Sequence, residues 1–447
     1  MSKQILSPLN YVALPGNSTS TPIHILNNII EDSYCNNKEL WLLSQDMSKA
    51  YDSVNIHLLQ KALERIQLPS QLTQIILDLL LDRSNKIITN FELTQSYTVK
   101  NGIDQGETIT PLLWRIYYDP LITQIAKTYK GYNLEVSWTT DLKTKKTNQL
   151  QTSTSVLAFM DDTLWIASSK NELEQILELA SSFFKMANLK INPLKSILST
   201  NSKNPSSINF IQQTISPQSK NTPFKFLGCW FLPSYQQTQQ VKLITQESQN
   251  LINILKTKQI TDKQVAYIIN TVIIPTLEYR IHNIVLSKTT CDQILSTHLT
   301  TAKHKSNLSR SIPNSVMLNH NIYGIKNIWD IQLQHHISKF LLRLNNSNLL
   351  GTTTKICIQQ LQNNLWSTTN ILQHPNPIID RKNKYSTNFK IIQLLQYLNM
   401  QIDIHYSIIW PHTIIHIAYP LEKLLNKHNS YNIFKKQLKI KNIFYLD

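Results

Sequence analysis

Apolar and polar positions along this chain follow two periods. Leu40-Trp41-Leu42-Leu43-Ser44-Gln45-Asp46 is a short apolar run closed by a carboxylate. Val156-Leu157-Ala158-Phe159-Met160-Asp161-Asp162-Thr163-Leu164-Trp165-Ile166 is two such runs on either side of an Asp-Asp pair. Short apolar runs bounded by turn residues read as buried strands, so the second stretch predicts a hairpin with two carboxylates at its turn. Elsewhere the period is helical. Helices are expected over residues 21–32, over a segment carrying Leu58, Leu59, Ala62, Leu63 and Ile66, and over one capped by Ser70 that holds Leu72, Ile75, Ile76, Leu79 and Leu80. Another runs over residues 110–129, with Thr110 as N-cap and Pro111 at the first helical position, and a fifth carries Leu173, Ile176, Leu177, Ala180, Phe183 and Phe184. Paired runs at 86–89 and 97–100 suggest a hairpin, residues 187–196 turn a helix back into a strand, and residues 224–231 form a strand or hairpin. A helical pattern from about Gln240 stops at Pro275, and the remainder is mostly helical with a polar break over residues 374–388. Residues 143–155 and 200–223 are polar and read as loops, and no internal repeat is present. The fold class is α+β.

Asp is common in turns, so an isolated Asp-Asp pair is ordinarily turn chemistry. Here apolar residues on both sides drive the turn into a core. Two adjacent carboxylates repel and are costly to desolvate unless a cation lies between them. A third acid, Asp46, ends its own apolar strand; were that strand to lie beside the hairpin in one sheet, the three would gather at its edge. Hard oxygen donors of this kind suit two Mg²⁺ ions, or Mn²⁺, and such a pair can activate a hydroxyl and stabilise a leaving pyrophosphate. Asp52 is the competing candidate, but it reads as a helix N-terminal residue, favoured there by the dipole.

Composition changes this picture in three ways. With 447 residues the chain is long enough for two or three domains, and 41% hydrophobic residues with a formal net charge of +16 describe a folded basic protein, which favours a polyanionic partner. Asn, Ile, Lys, Gln and Thr are all abundant, however, a bias that an AT-rich genome also produces, so charge alone does not establish nucleic-acid binding. No apolar run approaches the roughly 20 residues that span a bilayer, the N-terminus lacks a signal-peptide pattern, and Cys35, Cys229, Cys291 and Cys357 are too far apart for a Cys-x-x-Cys motif. A reducing intracellular compartment and no membrane partner are expected. Only 7 glycines occur, and Gly102 and Gly106 fall in one turn, marking backbone that needs positive φ or lies against a ligand. His412 and His416 have i, i+4 spacing but lack the Glu of a His-Glu-x-x-His zinc motif.

The order of these motifs resembles the palm of reverse transcriptases. Asp46-Met47-Ser48-Lys49-Ala50-Tyr51-Asp52 is similar to the first motif, and Gly102-Ile103-Asp104-Gln105-Gly106 with Thr110-Pro111-Leu112-Leu113 to the second. Phe159-Met160-Asp161-Asp162, Leu189-Lys190-Ile191-Asn192-Pro193-Leu194-Lys195 and Phe226-Leu227-Gly228 are similar to the third, fourth and fifth. The Lys-Ala-Tyr-Asp form of the first motif is most similar to retrotransposons without long terminal repeats. Thr110 departs from the family's usual Ser but keeps a hydroxyl.

The resemblance implies RNA-directed DNA synthesis from deoxynucleoside triphosphates on an RNA template and a DNA primer. It makes Asp46, Asp161 and Asp162 metal ligands, with the Met47 carbonyl as a further oxygen. Tyr51 would stack beneath the incoming sugar and exclude a 2′-hydroxyl. Gly102, Gln105 and Gly106 would hold the nucleotide and template base, Lys195 would neutralise or protonate the pyrophosphate, and Phe226, Leu227 and Gly228 would grip the primer. By the same resemblance residues 1–45 are partial fingers lacking a basic segment whose Arg clamps the triphosphate, 46–232 the palm, 233–289 a helical thumb, and 290–447 a helical region without assigned role. Two rival readings stand beside it: a retroelement remnant that only binds nucleic acid, and an intron-encoded maturase. The oligomeric state is left open by the sequence.

Overall fold

A four-stranded antiparallel sheet has the candidate acids Asp46, Asp161 and Asp162 at one edge. The computed structural model of the chain describes residues 5–13, 18–141, 146–192, 194–211, 213–365, 370–373, 385–402, 419–420 and 445–446. These fall into two compact units, one of Met1–Pro22, Lys38–Asn133 and Ser153–Lys220, the other of Ile23–Asn37, Leu134–Thr152 and Asn221–Asp447. Helix α1 (Ser20–Asn36) begins in the first and continues into the second.

In the first unit, β1 (Trp41–Gln45) is followed directly by β2 (Met47–Ser48), a 3-10 turn (Tyr51–Ser53), α2 (Ile56–Arg65), α3 (Ser70–Leu80) and the short strands β3 (Arg83–Asn85) and β4 (Tyr97–Val99). Helix α4 (Thr110–Thr128) leads out of this unit into the long strands β5 (Tyr132–Asp141) and β6 (Lys146–Thr154), most of which belong to the second unit. The hairpin β7 (Val156–Phe159) and β8 (Asp162–Ala167), helix α5 (Lys170–Ala187), β9 (Lys190–Ile191), β10 (Ile197–Thr200), β11 (Ile208–Phe210) and β12 (Gln213–Ile215) complete the first unit. The sheet order is β10-β1-β8-β7, every pair antiparallel. Leu42, Leu43, Leu164, Trp165 and Ile166 are buried, as uninterrupted apolar runs require when a strand is covered on both faces. Leu9 and Tyr11 bond to Ala158 and extend the β7 edge with a parallel bridge.

Local chemistry departs from the sequence expectations at several points. Ser70 is not the cap of α3: Pro69 holds the N-cap position and Ser70 the first helical one. Thr110 likewise lies inside α4, with Ile109 as N-cap. Asp52 sits in the 3-10 turn, and the cap of α2 is Asn55, whose Oδ1 accepts the Leu58 N–H at 3.1 Å. The hairpin pairing is Arg83–Asn85 with Tyr97–Val99, earlier than expected on its first strand. Most of residues 143–155 is strand β6, not loop. Exposed Thr147, Gln149, Gln151 and Ser153 alternate with half-buried Asn148, Leu150 and Thr152, so the period of two was present but written almost wholly in polar residues. Within 200–223, Ile208, Phe210 and Ile215 are buried in a hairpin against α5.

The second unit begins its C-terminal part with the hairpin β13 (Phe224–Phe226) and β14 (Cys229–Phe231). Helices α6 (Thr238–Thr257), α7 (Asp262–Ile268), α8 (Ile274–Arg280), α9 (Lys288–Lys305), α10 (Asn314–Leu318), α11 (Ile328–Leu344), α12 (Leu349–Leu365) and α13 (Thr387–Tyr397) follow. Tyr419–Pro420 pairs with Tyr445–Leu446. The helical run does not stop at Pro275. A π-helical turn, Ile269–Ile273, joins α7 to α8, and the Ile274 N–H reaches back to the Ile269 carbonyl, so the wider register absorbs the proline. His412, His416 and residues 374–384 of the expected polar break lie outside the described residues. All four cysteines are buried free thiols. Among the described residues no helix is long and apolar enough to cross a membrane.

The second unit buries an unusual amount of polar chemistry. Asn28 donates to Thr353 and Thr354, both at 3.2 Å, and Glu31 accepts from Tyr235 at 2.7 Å and from Ser386. Nearby, ring contacts link His24 to His282, His282 to His335 and His335 to His336 at 5.7, 4.5 and 5.4 Å. Burial, seconded by the neighbouring Arg343 and the other imidazoles, holds His24 well below the usual histidine range. Burial lowers His336 and His335 as well, and brings His282 and His298 to about 4. Folding therefore keeps these rings neutral, whereas the unfolded chain protonates them below about pH 6.5. The unit should be most stable above that pH and lose stability progressively as pH falls below it, with His282 and His298 contributing down to about pH 4. Urea unfolding followed at pH 7.5, 6, 5 and 4.5 checks this; a flat midpoint over that range would contradict it.

Candidate active site

The register of β1 on β8 brings the acids together. Gln45 pairs with Thr163, so the next residue, Asp46, stands abreast of Asp162, while Phe159 pairs with Asp162 and leaves Met160 and Asp161 as a two-residue loop. Met160 takes a φ of 56°, the positive value that two-residue hairpin loops demand at such positions. Desolvation, followed by the charges of Asp161 and Asp46, pushes the Asp162 carboxyl up to about 6. The residue still meets solvent, so salt should weaken the shift, but both other carboxylates act on it directly.

Asp46 is fixed from behind. Its carbonyl accepts the Asn192 N–H at 2.9 Å, its own N–H reaches Ser196 Oγ at 3.3 Å, and that hydroxyl donates to the Asn192 carbonyl at 2.9 Å. Met47, buried in β2, pairs with Ile191 of β9. Beneath the acids, Trp165 Nε1 donates to Gln45 Oε1 at 2.9 Å and Thr163 Oγ1 to Tyr118 at 3.3 Å.

Tyr51 opens the 3-10 turn and is half-buried, with Trp114 edge-on at 5.5 Å between ring centres. Burial, then the Asp161 charge, raises its phenol. The glycine turn docks on the same segment: the Gly102 N–H bonds to the Val54 carbonyl at 2.9 Å and the Ile103 N–H to the Tyr51 carbonyl at 3.0 Å. Gly102 has φ 92°, and a Cβ there would stand 2.9 Å from the Asp52 Cα, so no other residue fits unstrained. Arg83 closes the turn by donating to the Gly102 carbonyl at 2.7 Å and pairing with Asp104, while Thr110 Oγ1 donates to the Asp104 carbonyl at 2.5 Å. Gln105 and Gly106 are exposed.

The remaining candidates are placed differently. Lys195 is exposed on the turn between β9 and β10, its N–H on the Asn192 carbonyl at 3.2 Å. Phe226, Leu227 and Gly228 belong to the second unit, where Leu227 and Gly228 form the loop of the β13–β14 hairpin at φ 45° and 80°. Tyr279 donates to the Leu227 carbonyl at 2.7 Å, and Arg280 donates to the Gly228 carbonyl while pairing with Glu247 at 2.9 Å. Sequence reasoning missed Arg83, Trp114, Asn192 and Ser196 as supports of the site. Trp114 reads as a core aromatic of α4 and Arg83 as a surface cation; neither pattern announces its hydrogen bond.

The donor set suits a hard divalent cation in kind: carboxylate oxygens alone, with like charges raising Asp162. As the side chains stand, however, no group of three His, Cys, Asp or Glu among the described residues is disposed to hold a metal ion.

A family model described as "Reverse transcriptase (RNA-dependent DNA polymerase)" matches residues 2–231. The Pol polyprotein of the type-1 retrotransposable element R2 of Popillia japonica is 23% identical over 246 residues, covering 53% of this chain and 38% of the relative. A second R2 polyprotein match in the same organism is 23% identical over 179 residues, 39% of this chain and 23% of that protein. The chain thus spans well under half the length of these relatives. Among solved structures, apo telomerase from Candida tropicalis is similar over 85% of this chain and 57% of that one, at 12% identity and a TM-score of 0.33. Telomerase from Candida albicans with a fragment of telomeric RNA covers 73% and 51%, at 11% identity and a TM-score of 0.32. Likenesses this slight do not bear on the fold.

A raised carboxyl destabilises the folded chain wherever it is ionised. That stability is present below the unfolded value near 4 and is lost as pH rises through about 6. Asp162→Asn should therefore stabilise the chain at pH 7.5 by about 1 kcal/mol, discounted for solvent exposure, and give no gain at pH 4. Chemical denaturation of both proteins at the two pH values is the measurement.

Proposed function

We propose, from the premise that this chain belongs to the reverse transcriptase family, that it lengthens a DNA primer on an RNA template by adding deoxynucleotides. The observation that carries the reading is the gathering of Asp46, Asp161 and Asp162 at one sheet edge, where two of them raise the third. Asp46, Asp161 and Asp162, with the Met47 carbonyl, would hold two Mg²⁺ ions or Mn²⁺. When bound, the ions supply charge that lowers the pKa of the primer hydroxyl and offsets the negative charge growing on the pyrophosphate. The acids would hold that charge in place; the β1–β8 register and the Asn192 contact keep Asp46 opposite Asp162.

Tyr51 feels the Asp161 charge and would lie under the incoming sugar, its ring filling the space that a 2′-hydroxyl needs. Gly102, Gln105 and Gly106 would present backbone and amide to the nucleotide and template base. Lys195 would meet the pyrophosphate, and Phe226, Leu227 and Gly228 are assigned to the primer strand by the resemblance. On this reading residues 46–232 are the palm, 1–45 part of the fingers, 233–289 the thumb and 290–447 a helical appendage. The partners are an RNA template, a DNA primer and deoxynucleoside triphosphates.

Primer extension on an RNA template with Mg²⁺ and the purified chain tests the activity. Asp161→Asn should abolish extension, a loss of several kcal/mol of transition-state stabilisation, while leaving affinity for primer-template duplex close to that of the parent. Equal extension by mutant and parent would remove Asp161 from the site. Duplex binding without extension by the parent would return the reading of a binding-only remnant.

Tyr51→Val should raise ribonucleotide use relative to deoxyribonucleotide use without abolishing chemistry. Competition between the two nucleotide pools in a single extension assay measures the ratio; an active mutant with unchanged ratio would make Tyr51 an ordinary core aromatic.

A further inference from the structure

Three residues spaced one helical turn apart on α4 each reach a different part of the site. Thr110 Oγ1 donates to the Asp104 carbonyl at 2.5 Å, Trp114 Nε1 to the Met160 carbonyl at 2.8 Å, and Tyr118 accepts from Thr163 Oγ1 at 3.3 Å. Residues i and i+4 share a helix face, so one face of one helix touches the glycine turn, the acid loop and the acid-bearing strand. The middle residue does most. Trp114 is fully buried, stacks on Tyr118 at 5.5 Å and 21°, and sets its edge against Tyr51 at 5.5 Å and 60°.

We propose that Trp114 is a positioning residue that holds the Asp161 loop and the Tyr51 ring to one common reference, so that metal affinity and sugar selection are set together. The proposal rests on the function proposed above. Its physical basis is the peptide between Met160 and Asp161. That peptide plane contains the Met160 carbonyl oxygen and the Asp161 nitrogen, so pinning the oxygen orients the backbone from which the Asp161 carboxylate projects. Met160 has the positive φ its two-residue loop demands, a conformation uncommon for a side-chain-bearing residue, and the indole N–H on its carbonyl is a side-chain tie to that loop. A phenylalanine would fill much of the same core and stack on the same rings, but it would leave the Met160 carbonyl without its side-chain partner. Tyr51 completes the link, because its phenol feels the Asp161 charge and its ring meets the Trp114 edge.

Four proteins test this: the unmodified chain, Asp161→Asn, Trp114→Phe and Trp114→His, the last keeping a ring N–H on a smaller ring. Mn²⁺ binding is followed by electron paramagnetic resonance, extension and ribonucleotide selection by the assays above, and folding by thermal melts. Trp114→Phe should weaken Mn²⁺ binding about three- to tenfold, the range that loss of one hydrogen bond produces. It should raise the Mg²⁺ needed for half-maximal extension to a similar degree and lower discrimination against ribonucleotides, with little change in melting temperature. Trp114→His should bind Mn²⁺ more tightly than Trp114→Phe although it removes more volume, a ranking that simple packing reverses. Should Trp114→Phe fail to fold, Trp114→Leu serves as the side chain without an N–H. Parental Mn²⁺ affinity and selectivity in Trp114→Phe would overturn the proposal and leave Trp114 as core. Failure of the unmodified chain to extend primers would remove the proposed function alone, and the Mn²⁺ titrations would still decide Trp114. An unmodified chain that binds no Mn²⁺ overturns both.

Discussion

Like charges forced together at a sheet edge are the constraint on which the rest of the first unit depends. Asp46 lies in the one-residue link between β1 and β2, Asp161 in the hairpin loop and Asp162 at the start of β8, and nothing in their own chemistry favours assembly. Backbone ladders bring them in: β1 lies between β8 and β10, so its end cannot shift without breaking pairing on both sides. The segment after β9 braces that end through the Asn192 N–H on the Asp46 carbonyl at 2.9 Å, and the glycine turn braces the 3-10 turn that follows through two main-chain bonds at 2.9 and 3.0 Å. Main-chain bracing has a particular merit here. It uses none of the carboxylate oxygens, so ionisation of the acids adds repulsion without removing a bond of the scaffold.

Much of this was legible from the sequence, and the residues show why. Asp161-Asp162 stood out because apolar residues flanked it on both sides, and a carboxylate at the end of an apolar strand points to the same edge. Gly102 stood out because glycine is scarce; its positive φ and the closeness of the Asp52 backbone give the physical reason. What could not be read were contacts that cross the chain. Trp114 and Met160 are 46 positions apart, and an aromatic on a buried helix face looks the same whether its N–H is used or idle. Strand β6 was hidden for another reason: its alternation is real, but its inward positions include Asn and Thr, and a hydrophobicity pattern registers only apolar residues. Capping failed at Ser70 and Thr110 because each residue that precedes a proline or follows one competes for the same boundary, and sequence cannot rank them.

The second unit poses the opposite problem from the first. Its core holds Glu31, Arg343 and several imidazoles that no apolar pattern foretells, and Arg343 is completely enclosed with its guanidinium held down to about 10 by burial. Buried polar groups of this kind contribute little net stability over well-packed apolar ones but are costly to separate from their partners. The Glu31 carboxyl, raised by burial and relieved by hydrogen bonds from Ser386, Tyr235 and Asn388, fastens α1 to the start of α13 and to the segment ahead of α6. Helices far apart in sequence are thereby matched to one another by specific pairing, which apolar packing alone would leave free to slide.

The π-helical turn at Ile269–Ile273 acts as a phase adjustment. Each residue in an α-helix advances the chain by about 100°, so one extra residue taken up in a wider turn rotates everything after it by that amount without breaking the helix. Tyr279 and Arg280, which clasp the Leu227-Gly228 loop, lie just beyond it. Their aim at the loop thus depends on the number of residues in the wide turn as well as on the burial of Ile269 and Ile273, which anchor that turn in the core.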